Sequence, residues 1–146
     1  MTQVDFYVIS GGGMDESLNV ACRLAEKAVR RGNVYMHTAD AEQTQLLDEK
    51  LWSYRSDSFL PHEVAADNAP QDSAPQEAIV IGHHIPPTDF NDVLINLSLE
   101  IPNFHGRFMR LLEVVPGEHS AREACRENYA FYRDRGYPLN KLDIDP

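Results

Sequence analysis

Near the end of the chain, Arg122, Arg126, Tyr129 and Arg133 recur at spacings of four, three and four residues. At about 100° per helical residue these positions fall on one narrow stripe of a helix. Guanidinium forks beside an apolar ring suit an acidic peptide that offers a carboxylate. The formal net charge is -10, so three aligned arginines concentrate positive potential where the rest of the surface is acidic. The competing reading is a solvated face occupied with internal Glu–Arg pairs, because Glu123, Glu127 and Asp134 lie on the neighbouring arc. Ala121, Ala124, Cys125, Asn128, Phe131 and Tyr132 take the remaining side and predict the face that packs on a core.

Other residues that could do chemistry carry weaker patterns. Gly11-Gly12-Gly13 sits where a phosphate loop would sit, after an apolar run and before a helix, but neither G-x-G-x-x-G nor G-x-x-x-x-G-K-[ST] is present. Asp15 and Glu16 moreover place carboxylates where phosphate charge would have to lie. The spacing predicts a plain turn, although Asp40 stands near the position of a cofactor-binding acid and keeps a nucleotide-binding enzyme as the alternative. Six histidines include the pair His83-His84. Neighbours on an extended chain point to opposite sides, and no H-x-x-x-H or C-x-x-C accompanies them, so loop histidines rather than metal ligands are expected. Cys22 and Cys125 lie far apart and read as buried thiols, not a disulfide. No serine or cysteine occupies a nucleophile motif such as G-x-S-x-G, so neither a catalytic site nor a cofactor is expected.

The elements that must position these residues follow from periodicity. Asp5 to Ser10 predicts a strand, and Leu18, Ala21, Cys22, Ala25, Ala28 and Val29 predict a helix opened by Asp15 and closed by Lys27, Arg30, Arg31 and the stop residue Gly32. Asn33 to Thr38 reads as a second strand, and Asp40 as the N-cap of a helix from Ala41 to about Trp52. Further strands are expected at 78–82, 93–96 and 108–115, and a last helix from Ser120 to Arg135, ended by Gly136 and Pro138. Residues 65–76, with two prolines, Asp67, Asn68, Asp72 and Ser73, have no apolar period, which predicts an exposed loop over about 63–76. Strands separated by helices argue for an α/β fold with a mostly parallel sheet. The 146 residues suit a single domain, 1–146. With 23 acidic against 13 basic residues most of the surface repels nucleic-acid phosphate, so contact with DNA is expected only indirectly. The N-terminus has no basic stretch and no run of 18 apolar residues occurs, which predicts a soluble, cytoplasmic protein with no membrane contact.

Several segments together resemble the chi subunit family of the bacterial DNA polymerase III holoenzyme. They are Phe6-Tyr7, Leu47-Asp48-Glu49-Lys50-Leu51-Trp52, Ser58-Phe59-Leu60-Pro61-His62 and Asp92 to Leu97. The most specific come last: Glu113-Val114-Val115-Pro116, Arg126-Glu127 with Tyr129, Tyr132-Arg133, and Gly136-Tyr137-Pro138-Leu139-Asn140. The resemblance implies a Rossmann-like three-layer domain without a nucleotide site, serving as an accessory subunit of the clamp loader with no catalysis of its own. It also implies two partners. The psi subunit would bind at Trp52 and Phe59, whose plain alternative is burial in the core. The acidic C-terminal tail of single-stranded DNA-binding protein would bind at Val115, Arg122, Arg126, Tyr129 and Arg133. In that picture the tail's terminal phenylalanine enters an apolar pocket near Val115 and Tyr129 while its carboxylate pairs with an arginine. The chain departs from the family pattern at Ala130, where a lysine commonly follows the tyrosine, and Arg135 is the expected substitute if it turns outward.

Overall fold

The computed structural model describes residues 1–53, 60–65 and 75–145. In chain order the elements are β1 (Gln3–Ile9), α1 (Met14–Ala28), β2 (Val34–His37), α2 (Ala41–Ser53), β3 (Glu63–Val64), β4 (Ile79–Gly82), β5 (Val93–Asn96), a 3-10 turn (His105–Arg107), β6 (Arg110–Val115), α3 (His119–Asp134) and β7 (Leu139–Ile144). The strands form one sheet in the order β3-β4-β2-β5-β6-β1-β7. Every pairing among the described residues is parallel. This is an α/β, Rossmann-like three-layer arrangement.

Side-chain alternation builds the layers. Val34, Met36, Ile79, Ile81, Val93, Ile95, Leu112 and Val114 share a buried cluster with Leu18, Ala21 and Cys22 of α1 and Leu47 and Leu51 of α2. Their neighbours Tyr35, Val80, Leu94, Leu111 and Val115 join a second cluster with Ala121, Cys125 and Tyr132 of α3 and with Phe90 and Phe108. Helices on both faces explain why β4 and β5 are buried at every position and read as unbroken apolar runs. Each buried Val, Leu, Ile, Phe or Met side chain in these clusters contributes about 1.5–3 kcal/mol.

Local expectations hold in part. Asp40 caps α2 as predicted, its carboxylate accepting from the Gln43 amide at 2.8 Å while the Gln43 side chain accepts from the Ala39 amide at 2.7 Å. Helix α1 ends at Ala28, before Arg30 and Arg31, which continue as a turn. Gly32 is not a left-handed cap: the Asp92 carboxylate, bonded to the Asn33 amide at 3.0 Å, lies where a Cβ would stand. Gly136 is such a cap, at φ 80°, with its amide on the Arg133 carbonyl and that of Tyr137 on the Tyr132 carbonyl. Strand β6 begins at Arg110 rather than at 108. The loop expected over 63–76 begins with strand β3, paired to β4, and residues 66–74 lie outside the described residues. Strand β7, which the sequence pattern did not announce, forms the far edge of the sheet.

Candidate functional site

Helix α3 presents its arginine stripe over the β1–β7 end of the sheet. Its inner face is fixed by Tyr132, whose ring lies 6.2 Å from Phe6 and 5.5 Å from His105. Asn128 adds a side-chain bond of 2.9 Å to the Leu99 carbonyl. The Gly136 turn then reverses the chain into β7. That strand is tied to β1 by its ladder and by a side-chain bond near each end. Asn140 donates to Asp5 at 3.1 Å, and Ser10 of the β1–α1 loop donates to Asp145 at 2.6 Å.

Between α3 and the two strands lies a cleft of about 610 Å³. Arg122, Arg126, Tyr129 and Arg133 line it from the helix, so four of the five tail-binding residues expected from sequence come together. Cys125 and Val8 give it an apolar floor, and Ser10 lies at its border. The opposite wall is Lys141 and Asp143 of β7. The fifth expected residue, Val115, is 1% exposed and does not line the cleft; it belongs to the buried cluster against which Tyr129 packs. Val8 presents the apolar surface in its place.

The arginines are available. Among the described residues Arg122 and Arg126 make no ion pair, while Arg133 meets only the exposed Asp134 beside it, at 3.2 Å. Glu123 is engaged with His119 at 2.9 Å. A face neutralised by internal Glu–Arg pairs is therefore not what forms. Arg135 does not line the cleft: its guanidinium stacks 3.6 Å from the Phe131 ring centroid and donates to the Phe131 carbonyl. Tyr129 rests its ring on Phe6 at 5.4 Å. Burial pushes the Cys125 thiol pKa up and Glu113 adds to it, while Lys141 and Arg126 pull it down. The cleft thus combines four cations and one carboxylate with an apolar floor, a chemistry for holding an acidic peptide with an apolar end.

Behind this wall, Glu113 is a buried carboxyl that accepts from the Asn96 amide at 2.7 Å; desolvation raises its pKa to about 8. On the opposite side of the molecule Trp52 lies in the last turn of α2 and is 53% exposed, which excludes the core reading. Its ring lies 4.8 Å from His62. His62 is held between the Leu60 carbonyl at 2.7 Å and the Asp48 carboxylate at 2.6 Å. Phe59, expected beside Trp52, lies outside the described residues.

Groups that a nucleotide site would need are engaged elsewhere. Glu16 accepts from the Gly13 amide at 2.8 Å, placing a carboxylate at the N-terminus of α1, and Asp40 caps α2. His83 and His84 do not point apart as expected, since their ring centroids are 4.1 Å apart in a bend after β4. His37 packs against Tyr35 and Phe104, and desolvation lowers its pKa to about 4. Among the described residues no cluster of three ligating side chains could hold a metal, and no helix is long and apolar enough to cross a membrane.

Comparison with known proteins gives one consistent result. The family model described as DNA polymerase III chi subunit, HolC, matches residues 1–140. The chain is 47% identical over 140 residues to DNA polymerase III subunit chi of Pseudomonas aeruginosa, covering 95% of this chain and 94% of that protein. Identity to the subunit of the same name from Escherichia coli is 30% over 145 residues, covering 96% and 97%. For that of Haemophilus influenzae it is 29% over 140 residues, 95% of each.

Proposed function

The chain belongs to the DNA polymerase III chi subunit family, whose role is that of a replisome accessory, and from this premise we propose that it acts as a non-catalytic adaptor between two partners. One is the psi subunit, which tethers it to the clamp loader; the other is the acidic C-terminal tail of single-stranded DNA-binding protein. The adaptor works as a single cytoplasmic domain, uses no cofactor and meets DNA only through its partners. The observation that carries the reading is the α3–β7 cleft, where Arg122, Arg126 and Arg133 border Tyr129 in a chain of net charge -10.

Binding follows from the cleft's geometry. An apolar terminal side chain enters over Val8, Cys125 and Tyr129, its carboxylate meets Arg126, and upstream acidic residues lie along the remaining arginines. One aromatic anchor and a few solvent-facing ion pairs give roughly micromolar affinity that falls with salt. Such a contact is readily released and remade. Trp52, exposed yet supported by His62, is the corresponding apolar anchor for psi.

Fluorescence anisotropy with a labelled peptide from the C-terminus of the same organism's single-stranded DNA-binding protein tests the cleft. Saturable binding that weakens about tenfold or more with Arg126→Ala, and equally with a peptide lacking its final phenylalanine, is expected. No binding at high protein concentration would remove this partner and leave the Trp52 surface as the only one proposed.

A further inference from the structure

The cleft has a second wall that the arginine stripe does not explain. Strand β7 pairs with β1 so that Lys141 stands opposite Phe6 and Asp143 opposite Val8. Tyr129 packs on Phe6, which sets Lys141 level with Tyr129 across the cleft. The Lys141 side chain is exposed and has no hydrogen-bond or ion-pair partner among the described residues. Its neighbour Asn140 is held by Asp5, so the strand that carries it is fixed.

Arg126 lines the cleft from α3 and Lys141 lines it from β7, with Cys125 and Val8 in the floor between them. A terminal residue that seats its side chain on that floor carries its carboxylate only one bond beyond its Cα, so the carboxylate comes to rest between these two cations.

We infer that Lys141 is a specificity residue of the cleft, clamping the free C-terminal carboxylate of the docked peptide from the strand side while Arg126 holds it from the helix side. This deepens the proposed tail-binding function and rests on it. A guanidinium supplies a directional fork and an ammonium an adaptable point charge, so the pair can close on one carboxylate from two directions. An internal acidic segment would gain less, because it places no terminal carboxylate over the floor.

The test is a double-mutant cycle by anisotropy. The wild type and Lys141→Ala are each titrated with the labelled tail peptide and with the same peptide amidated at its C-terminus. For the free acid, Lys141→Ala should weaken binding about three- to tenfold; for the amide, the two proteins should bind alike. Lys141→Arg should restore most of the acid preference, which a loss of mere packing would not allow. Equal losses for acid and amide, or no loss for either, would overturn the clamp. If Arg126→Ala still weakened binding about tenfold or more in that case, the cleft itself would stand. A wild type that binds neither peptide would overturn the clamp together with the cleft reading.

Discussion

The α3–β7 cleft and the Trp52 surface are built by opposite means. The cleft is a concavity between an edge strand and a helix, with cations on both walls and only a small apolar floor. At Trp52 a single large ring projects from the last turn of α2, and the imidazole behind it is held by a carboxylate and a carbonyl. Electrostatic surfaces gain association rate and selectivity and lose strength in salt, whereas a desolvated aromatic anchor supplies affinity that salt scarcely touches. With the proposed function, one molecule would therefore hold one partner firmly and exchange the other.

The widest separation between the two surfaces is expected from Trp52→Ala. Truncating a central aromatic anchor costs on the order of 2–4 kcal/mol, so capture of the psi subunit in co-purification or calorimetry should drop by about a hundredfold. Affinity for the tail peptide should not change. Loss of tail binding as well would break the contrast, because it would mean that the substitution acts through the fold.

What lies beneath the surfaces differs too. The wall carrying α3 rests on Glu113, whose pKa is raised to about 8 against an ordinary 4.5, so the folded protein holds this proton where the unfolded chain has released it. The stability this group contributes is complete below about pH 4.5, declines as pH rises, and is lost once pH passes about 8. Glu113→Gln removes the ionisation and keeps an acceptor for Asn96. Thermal melts should show the variant close to wild type at pH 4 and more stable by about 1–3 kcal/mol at pH 8. A constant difference at all pH values would show that the substitution acts through packing alone.

A smaller effect sharpens the same contrast. Raising salt from about 50 to 300 mM shortens the screening length from about 14 Å to under 6 Å. Tail-peptide affinity should fall by about three- to tenfold, with the psi contact nearly unchanged, when both are followed by calorimetry.

The core elements were legible because they are either periodic or unbroken apolar runs. Buried strands β2, β4 and β5 and amphipathic α1 and α3 declare themselves by apolar spacing, and Asp40 marks the start of α2 by its chemistry. The two edges were not. Strand β3 has two residues, and β7 places its apolar residues at 139, 142 and 144, of which only the last two keep a period of two. An exposed edge strand is held by its ladder and by bonds such as Asn140 to Asp5, over 135 residues, and no local pattern announces these. The helix half of the cleft was consequently readable from Arg122, Arg126, Tyr129 and Arg133, and the strand half was not. Lys141 and Asp143 become site residues only once β7 lies beside β1. Val115 is expected in the pocket only from the family resemblance, but the alternation of β6 turns its side chain into the core. Arg135 follows the stripe in sequence, yet the Phe131 ring occupies its guanidinium.

The central claim is that the two surfaces serve two partners at once. The most direct test is to titrate the labelled tail peptide into the chain alone and into the chain saturated with psi. Equal dissociation constants, with chain, psi and peptide migrating as one ternary complex, are predicted. Competition between psi and the peptide, with the peptide displaced as psi is added, would contradict the account.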